Sequence, residues 1–105
     1  MGSPPALTDD QRRRALEKAV ANRRRRAAVK RALKDGRLSL AEALSLASRD
    51  EAIARMRAVE LVESLPALGK VKAQRVMHAV GIADSRRVQG LGAHQRADLL
   101  RAVAR

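Results

Sequence analysis

Helix-boundary signals recur along this chain at intervals of about one helix length, and they constrain its fold more than any other feature. In a capping box, a Ser or Thr and a Glu or Gln three residues later satisfy the free N–H groups of a helix start. The pairs with this spacing are Thr8 with Gln11, Ser39 with Glu42 and Ser48 with Glu51. Between the signals the apolar residues follow helical spacing, and strand-like alternation does not occur. The sequence therefore predicts an all-α fold.

The first predicted helix is long and strongly basic. It runs from the Thr8 cap to Asp35, and Gly36 follows at the position where glycine commonly ends a helix. The consecutive arginines Arg23–Arg26 cover every direction around the helix axis, so this stretch has no apolar face to bury. We therefore expect the N-terminal half of the helix to project into solvent, and the end near Leu33 to pack on the rest of the protein.

These boundaries divide the chain into three predicted parts. Residues 1–7, which include two prolines, form a disordered lead. Residues 8–35 form the basic N-terminal helix, and residues 36–105 form a helical domain that contains a helix–two-turns–helix unit.

Two later helices of this domain have clear boundaries. Gly69 opens a helix from Lys70 to about Ala79, and the last helix spans about Ala93 to Ala104. Asp84 or Ser85 is predicted to cap a short turn between the two helices. The positions expected to face the core are Val71, Val76, Met77, Val80, Leu99, Leu100 and Val103.

The charge distribution predicts a polyanionic partner. The net charge is +12 in 105 residues, with +8 in residues 1–34, −2 in residues 35–64 and +6 in residues 65–105. Nucleic acid is the first candidate for such a chain and an anionic membrane is the second.

The basic helix lacks the bulky apolar anchors of a membrane-surface helix, and no apolar run is long enough to span a bilayer, so we expect no membrane contact and a cytoplasmic location. The chain has no aromatic residue to stack on unpaired bases, which favours a duplex over a single strand.

No residue pattern indicates catalysis. The chain has no cysteine, and His78 and His94 have no carboxylates around them at metal-ligand spacing. Nucleophile-elbow and phosphate-binding-loop motifs are also absent. We therefore predict a binding protein that has no enzymatic activity, no cofactor and no metal.

Two short blocks place glycine and basic residues at helix boundaries. Residues 65–73 read Leu-Pro-Ala-Leu-Gly-Lys-Val-Lys-Ala, and residues 85–92 read Ser-Arg-Arg-Val-Gln-Gly-Leu-Gly. The N–H groups at a helix start suit a phosphate, and glycine allows its close approach. Each block is also compatible with a purely structural turn. However, the helix dipole disfavours cations such as Lys70 and Lys72 near a helix N-terminus, unless an anion lies between the helix end and the lysine side chains.

With residues 81–92, which begin Gly-Ile-Ala-Asp, these blocks resemble the actinobacterial integration host factor family. The resemblance is specific over about residues 60–100 and looser over the arginine-rich helix. It implies a nucleoid-associated protein with a long N-terminal helix and a helix–two-turns–helix unit. Such a protein binds duplex DNA through its backbone with little sequence preference, and bends or compacts it. The family generally has Arg where this chain has Gln89, and Gly where it has Ala67.

The resemblance and the charge pattern together assign the candidate site. The residues expected to contact DNA are Pro66, Leu68, Gly69, Lys70, Lys72, Arg75, Ser85, Arg86, Arg87, Gln89, Gly90 and Gly92. A second DNA-binding surface is expected at Arg23, Arg24, Arg25, Arg26 and Lys30. Pro66 and Leu68 are candidates for an apolar wedge at a base step.

We expect a monomer whose partner is double-stranded DNA, and whose two surfaces bridge duplexes in the nucleoid. An RNA-binding or ribosome-associated protein that uses the same turn unit is the main alternative. A third interpretation is an accessory protein that contacts a topoisomerase or a recombinase.

Overall fold

The computed structural model describes residues 8–104, so the predicted lead over residues 1–7 lies outside the described residues. The described part is helical, and its only β-type pairing is an isolated bridge between Arg57 and Arg87. Its helices are α1 (Asp9–Lys34), α2 (Leu40–Leu46), α3 (Glu51–Ala54), α4 (Ala58–Glu63), α5 (Gly69–Ala79) and α6 (Ala93–Val103), and a 3₁₀ turn (Val88–Gly90) precedes α6. The all-α prediction is confirmed. The division at residues 35 and 36 into a helix and a domain stays a prediction.

Helix α1 begins and ends as the sequence predicts. The Thr8 hydroxyl accepts the Gln11 N–H at 3.1 Å, and the Gln11 side chain accepts the Thr8 N–H at 2.9 Å. Gly36 follows the helix with φ of +75°, a left-handed conformation that favours glycine. All residues from Thr8 to Ala21 are exposed, whereas Leu33 is fully buried. The helix therefore extends from the body and packs at its C-terminal end.

The arginine run of α1 is less free than predicted. Arg25 Nε donates to Asp50 Oδ2 at 2.7 Å, and the Asp50 side chain is only 6% exposed. Lys18 also pairs with Glu51, with 3.3 Å between Nζ and Oε2. Both acids lie at the start of α3, so ionic contacts hold part of α1 against the body where the helix has no apolar face.

The core is aliphatic. Its largest fully buried side chains are Leu33, Ile53, Leu61, Val62, Met77, Val88 and Leu99, which come from α1, α3, α4, α5, the 3₁₀ turn and α6. Burial of these side chains, at about 1.5–3 kcal/mol for each large one, is the main force that joins the short helices. Because the 3₁₀ turn contributes Val88, the core also fixes the loop between α5 and α6.

Three local predictions are wrong. The cap of α3 is Asp50 rather than Ser48: its carboxylate accepts the Ala52 N–H at 3.1 Å, and the same carboxylate holds Arg25. A turn does lie at Asp84 and Ser85, where the Arg86 N–H donates to the Ala83 carbonyl at 3.0 Å, but it does not continue through Val88 as predicted. A separate 3₁₀ turn begins at Val88, because Arg87 pairs with the segment before α4.

The third error concerns the buried face of α5. Val71 is 62% exposed and does not belong to the core, whereas Ala73 and Met77 are fully buried. Ala73 and Met77 are four residues apart and define one side of the helix. Val71 precedes Ala73 by two residues, which places it on the opposite side. Val76, Val80, Leu100 and Val103 are partly buried against the core, as predicted.

Candidate nucleic-acid interface

The first turn, residues 65–68, joins α4 to α5 through left-handed backbone conformations. Ala67 has φ of +65° and Gly69 has φ of +66°. A Cβ atom added at Gly69 would meet nothing within 4 Å, so backbone conformation, and not lack of space, favours glycine there. The Leu68 N–H donates to the Leu65 carbonyl at 3.2 Å and closes the turn. The chain thereby reverses within a few residues and starts α5 at the surface.

The N-terminus of α5 is open to an anion. No side chain caps it within the described residues, and Gly69, Lys70, Val71 and Lys72 are all exposed. Its free N–H groups and the positive end of the helix dipole favour a phosphate, and the two lysines add charge. Pro66 is exposed beside this site and Leu68 is half-buried.

Helix α1 lies beside the first turn. Its residues Lys30, Arg31 and Lys34 line one cleft together with Pro66, Ala67, Gly69 and Lys70. The same cleft contains two acids, Asp35 and Glu63. The structure thus brings Lys30, which the sequence placed on a second surface, next to the first predicted site.

The second turn, residues 86–92, is attached to the segment before α4 by backbone hydrogen bonds. The Ala58 N–H donates to the Arg86 carbonyl at 2.9 Å, and the Val88 N–H donates to the Met56 carbonyl at 2.8 Å. These bonds form the antiparallel bridge between Arg57 and Arg87. Because α4 leads directly from this bridge to the first turn, the two turns have a fixed relative position.

Gly90 makes room for the Arg86 side chain. A Cβ atom at Gly90 would lie 3.1 Å from Arg86 Cδ, which is closer than a normal contact. Arg86 Nη1 donates to the Gly90 carbonyl at 3.3 Å, so the arginine crosses the turn at its surface. The next glycine, Gly92, precedes α6, and its N–H is accepted by Gln95 Oε1 at 3.0 Å. Glycine therefore serves different purposes in the two turns.

Arg87 points to a different neighbour. Its guanidinium donates to the carbonyl of Arg55, the residue that follows α3. It lines a small cleft with Arg26, Arg55, Arg57 and Glu60. Arg55 and Arg57 were missed from the sequence because they lie in the segment whose net charge is −2, where no basic cluster is visible.

The remaining candidates are spread over the surface. Ser85 and Gln89 are exposed in the loop that contains the second turn, and Arg23 and Arg24 are exposed on α1. Arg75 lies on the outer side of α5 beside His78 and Asp84, in a depression separate from the clefts at the two turns. Arg25 is the candidate that the structure engages elsewhere, through its ion pair with Asp50.

Residues 8–104 contain no group of His, Cys, Asp or Glu side chains that would hold a metal ion. Among the described helices, none combines the length and the apolar character needed to cross a membrane.

Comparison with known proteins identifies similar chains. The family model described as the S13-like H2TH domain matches residues 33–103. The integration host factor of Streptomyces coelicolor is 48% identical over 97 residues, which are 92% of this chain and 91% of that protein. The integration host factor of Mycobacterium tuberculosis is 50% identical over 96 residues, covering 91% of each chain.

A solved structure described as sIHF bound to an 8bp palindromic DNA also superimposes on the chain. It has a TM-score of 0.78 and 47% sequence identity, and the match covers 81% of this chain and 96% of that one. The similarity thus extends over both turns and the helices that hold them.

Proposed function

The chain belongs to the family of the integration host factors of Streptomyces and the mycobacteria, and from this premise we propose that it binds duplex DNA through the phosphate backbone. The observation that carries the proposal is the fixed relative position of two exposed basic turns, because the bridge between Arg57 and Arg87 ties the second turn to the segment from which α4 leads to the first turn. A relative of the same fold, 47% identical, has been solved with DNA.

The two turns have the chemistry to hold neighbouring phosphates. At the first, the N–H groups of α5 and the ammonium groups of Lys70 and Lys72 bind one phosphate. At the second, Arg86 binds another phosphate: the lack of a side chain at Gly90 leaves room for that arginine, and the lack of one at Gly92 lets the DNA backbone approach. Contacts of this kind position a protein on DNA without reading bases, which gives low sequence specificity.

Several flanking residues complete the proposed contact surface. Arg75, Ser85 and Gln89 extend it on either side of the turns. Pro66 and Leu68 act as an apolar wedge at a base step, and such a wedge bends the duplex. The protein thereby shapes DNA in the nucleoid, with effects on supercoiling, recombination and transcription.

The exposed part of α1 supplies the second DNA-binding surface. Arg23 and Arg24 are free to meet a further duplex, whereas Arg25 is paired with Asp50 and Lys30 lies beside the first turn. A monomer with contacts on both surfaces bridges two duplexes and compacts long DNA.

Binding measured against salt tests this function. Fluorescence anisotropy with labelled duplex DNA, duplex RNA and single-stranded DNA, each at the same salt concentrations, is expected to show tightest binding to duplex DNA. One phosphate each at the first turn, Arg75, Arg86, Arg87 and α1 makes about five contacts, which predict a log–log slope of roughly −4 to −5. A slope near zero would remove the backbone-contact model. Tighter binding to duplex RNA would support the RNA-binding alternative, and capture of a topoisomerase or recombinase that resists nuclease would support the accessory-protein alternative.

A further inference from the structure

Four arginines from three separate parts of the chain meet in one cleft. Arg26 comes from α1, Arg55 and Arg57 flank Met56 in the connection between α3 and α4, and Arg87 comes from the second turn. The carboxylate that lines the cleft with them is Glu60. The four guanidinium groups therefore exceed the acids of the cleft lining by three charges.

The contacts within the protein leave this excess largely uncompensated. Glu60 is 3.5 Å from Arg57 Nη2, a weak pair, and Arg55 is paired with Glu51 outside the cleft at 2.7 Å. Arg87 uses one of its N–H groups on the Arg55 carbonyl, and an arginine has five such donors. Arg26 is half-buried, and none of the ion pairs within residues 8–104 includes it.

The position of Arg26 is set by its neighbour. The ion pair between Arg25 and Asp50 fixes α1 at the start of α3, and Asp50 is itself held by its hydrogen bond to the Ala52 N–H. Because successive residues of a helix are turned by about 100°, fixing Arg25 also fixes the direction of Arg26. Arg26 then faces the end of α3, where Arg55 lies. Arg25 is thus a positioning residue.

We infer that this cleft is a phosphate-binding site, formed by Arg26, Arg57 and Arg87, for a backbone phosphate of the same duplex that contacts the second turn. The inference rests on the proposed DNA binding. Like charges brought together at partial burial repel one another, and a phosphate removes that repulsion and accepts several charge-assisted hydrogen bonds. It follows that Arg26 belongs with the second turn rather than with a separate surface on α1. The neighbouring arginines of the run therefore have different roles: Arg25 pairs with Asp50, and Arg26 binds the phosphate.

The test compares Arg26→Ala and Arg57→Ala with Arg101→Ala, a substitution that removes the same charge from α6. Arg101 is exposed, pairs with Asp98 and lies outside the clefts at the turns. The measurement is anisotropy of a short labelled duplex at several salt concentrations. Each cleft variant is expected to lower the magnitude of the slope, and the double variant to lower it by up to about 0.9, because the cleft holds one phosphate. Arg101→Ala is expected to keep the wild-type slope.

Two further measurements separate the outcomes. Arg26→Lys is expected to restore most of the lost slope, because it keeps the charge, and thermal unfolding of each variant shows whether the fold is intact. If wild-type protein binds duplex DNA and the cleft variants keep its slope, the inference is overturned while the proposed function stands. If Arg101→Ala lowers the slope as much as the cleft variants do, the effect is one of net charge and the inference is likewise overturned. Failure of the wild-type protein to bind duplex DNA would overturn the proposed function itself.

Discussion

The first turn exposes the backbone N–H groups at the start of α5, whereas the second turn exposes arginine side chains. Residues 65–68 use left-handed conformations to expose the N-terminus of α5, so the chemistry of that site is built into the path of the chain. Residues 86–92 are held by the bridge to the segment before α4, with Val88 in the core, and they carry arginines on a frame that is already fixed. Substitutions that alter the backbone of the first turn should therefore change folding and binding together, whereas substitutions of the exposed arginines in the second turn should change binding far more than stability.

The glycines express the same difference. Gly69 is favoured by its φ of +66°, and the space around it is open. Gly90 has no such backbone preference, and its lack of a side chain accommodates Arg86. A glycine in such a site can therefore either allow a left-handed backbone conformation or leave space for a neighbouring side chain.

The largest expected effect comes from removing the arginines of the second turn. Arg86→Ala/Arg87→Ala is expected to weaken duplex binding by a factor of ten or more and to lower the magnitude of the salt slope by roughly 1.8. The loss of the Arg87 bond to the Arg55 carbonyl should cost only about 1 kcal/mol of stability. Anisotropy across a salt series, with thermal unfolding beside it, measures both quantities.

The matched double variant at the start of α5, beside the first turn, is Lys70→Ala/Lys72→Ala. It removes the same charge but leaves the N–H groups of α5 in place, so its loss of affinity at equal salt should be smaller. If the two double variants lose equal affinity for duplex DNA, the backbone N–H groups of α5 do not contribute to binding, and the contrast between the two turns is wrong.

The next effect separates the two kinds of glycine. Gly69→Ala is expected to lower the free energy of unfolding by about 1 kcal/mol, because an L-residue is strained at its φ angle. Gly90→Ala is expected to change stability by less than about 0.5 kcal/mol, since it displaces only the flexible Arg86 side chain. Duplex affinity should nevertheless fall several-fold in the second variant. Urea unfolding and anisotropy check the pair, and a Gly90→Ala protein that binds like wild type would show that the approach of Arg86 to Gly90 has no role in binding.

The fold was predictable where a signal is local. The capping boxes at Thr8 and Ser39 and the stop at Gly36 involve residues close in sequence, and the structure confirms them. Asp50 was missed as the cap of α3, although its bond to the Ala52 N–H is local, because Ser48 and Glu51 also have the spacing of a capping box. Its second partner, Arg25, was not predictable, because it is distant in sequence and is recruited only when α1 packs against α3.

The candidate site shows the same limit. Glycine and lysine at residues 69–72 indicated an anion site, and the structure leaves that helix start uncapped and exposed. The cleft at Arg87 was not predictable, because Arg55 and Arg57 lie among acids in the sequence and come together with Arg26 only through tertiary packing. Local patterns therefore identified the two turns, and packing decides which distant cations join them.

A smaller effect is expected at Gln89, a neutral residue beside Arg86 and Arg87 in the second turn. Gln89 is exposed in the second turn, and an arginine there can reach solvent without repacking the core. Gln89→Arg should steepen the salt slope by about 1 and tighten binding to unrelated duplexes alike. Gln89→Lys serves as the control for charge alone. If Gln89→Arg tightens binding to one sequence only, this position reads bases, and the second turn is more than a phosphate contact.

The smallest effect is expected at Ala67, and it concerns the backbone of the first turn. Ala67 adopts φ of +65°, which costs a residue with a Cβ atom roughly 1–2 kcal/mol relative to glycine. Glycine also raises the entropy of the unfolded chain, which takes back roughly 0.4–1 kcal/mol. Ala67→Gly should therefore stabilise the protein by about 0.5 kcal/mol, whereas the same exchange at Ala28, an exposed position inside α1, should destabilise it by about 1 kcal/mol. Urea unfolding of the two variants makes the comparison. Destabilisation by both would mean that residue 67 leaves the left-handed conformation in solution, and the first turn would then not present the start of α5 in the way the structure shows.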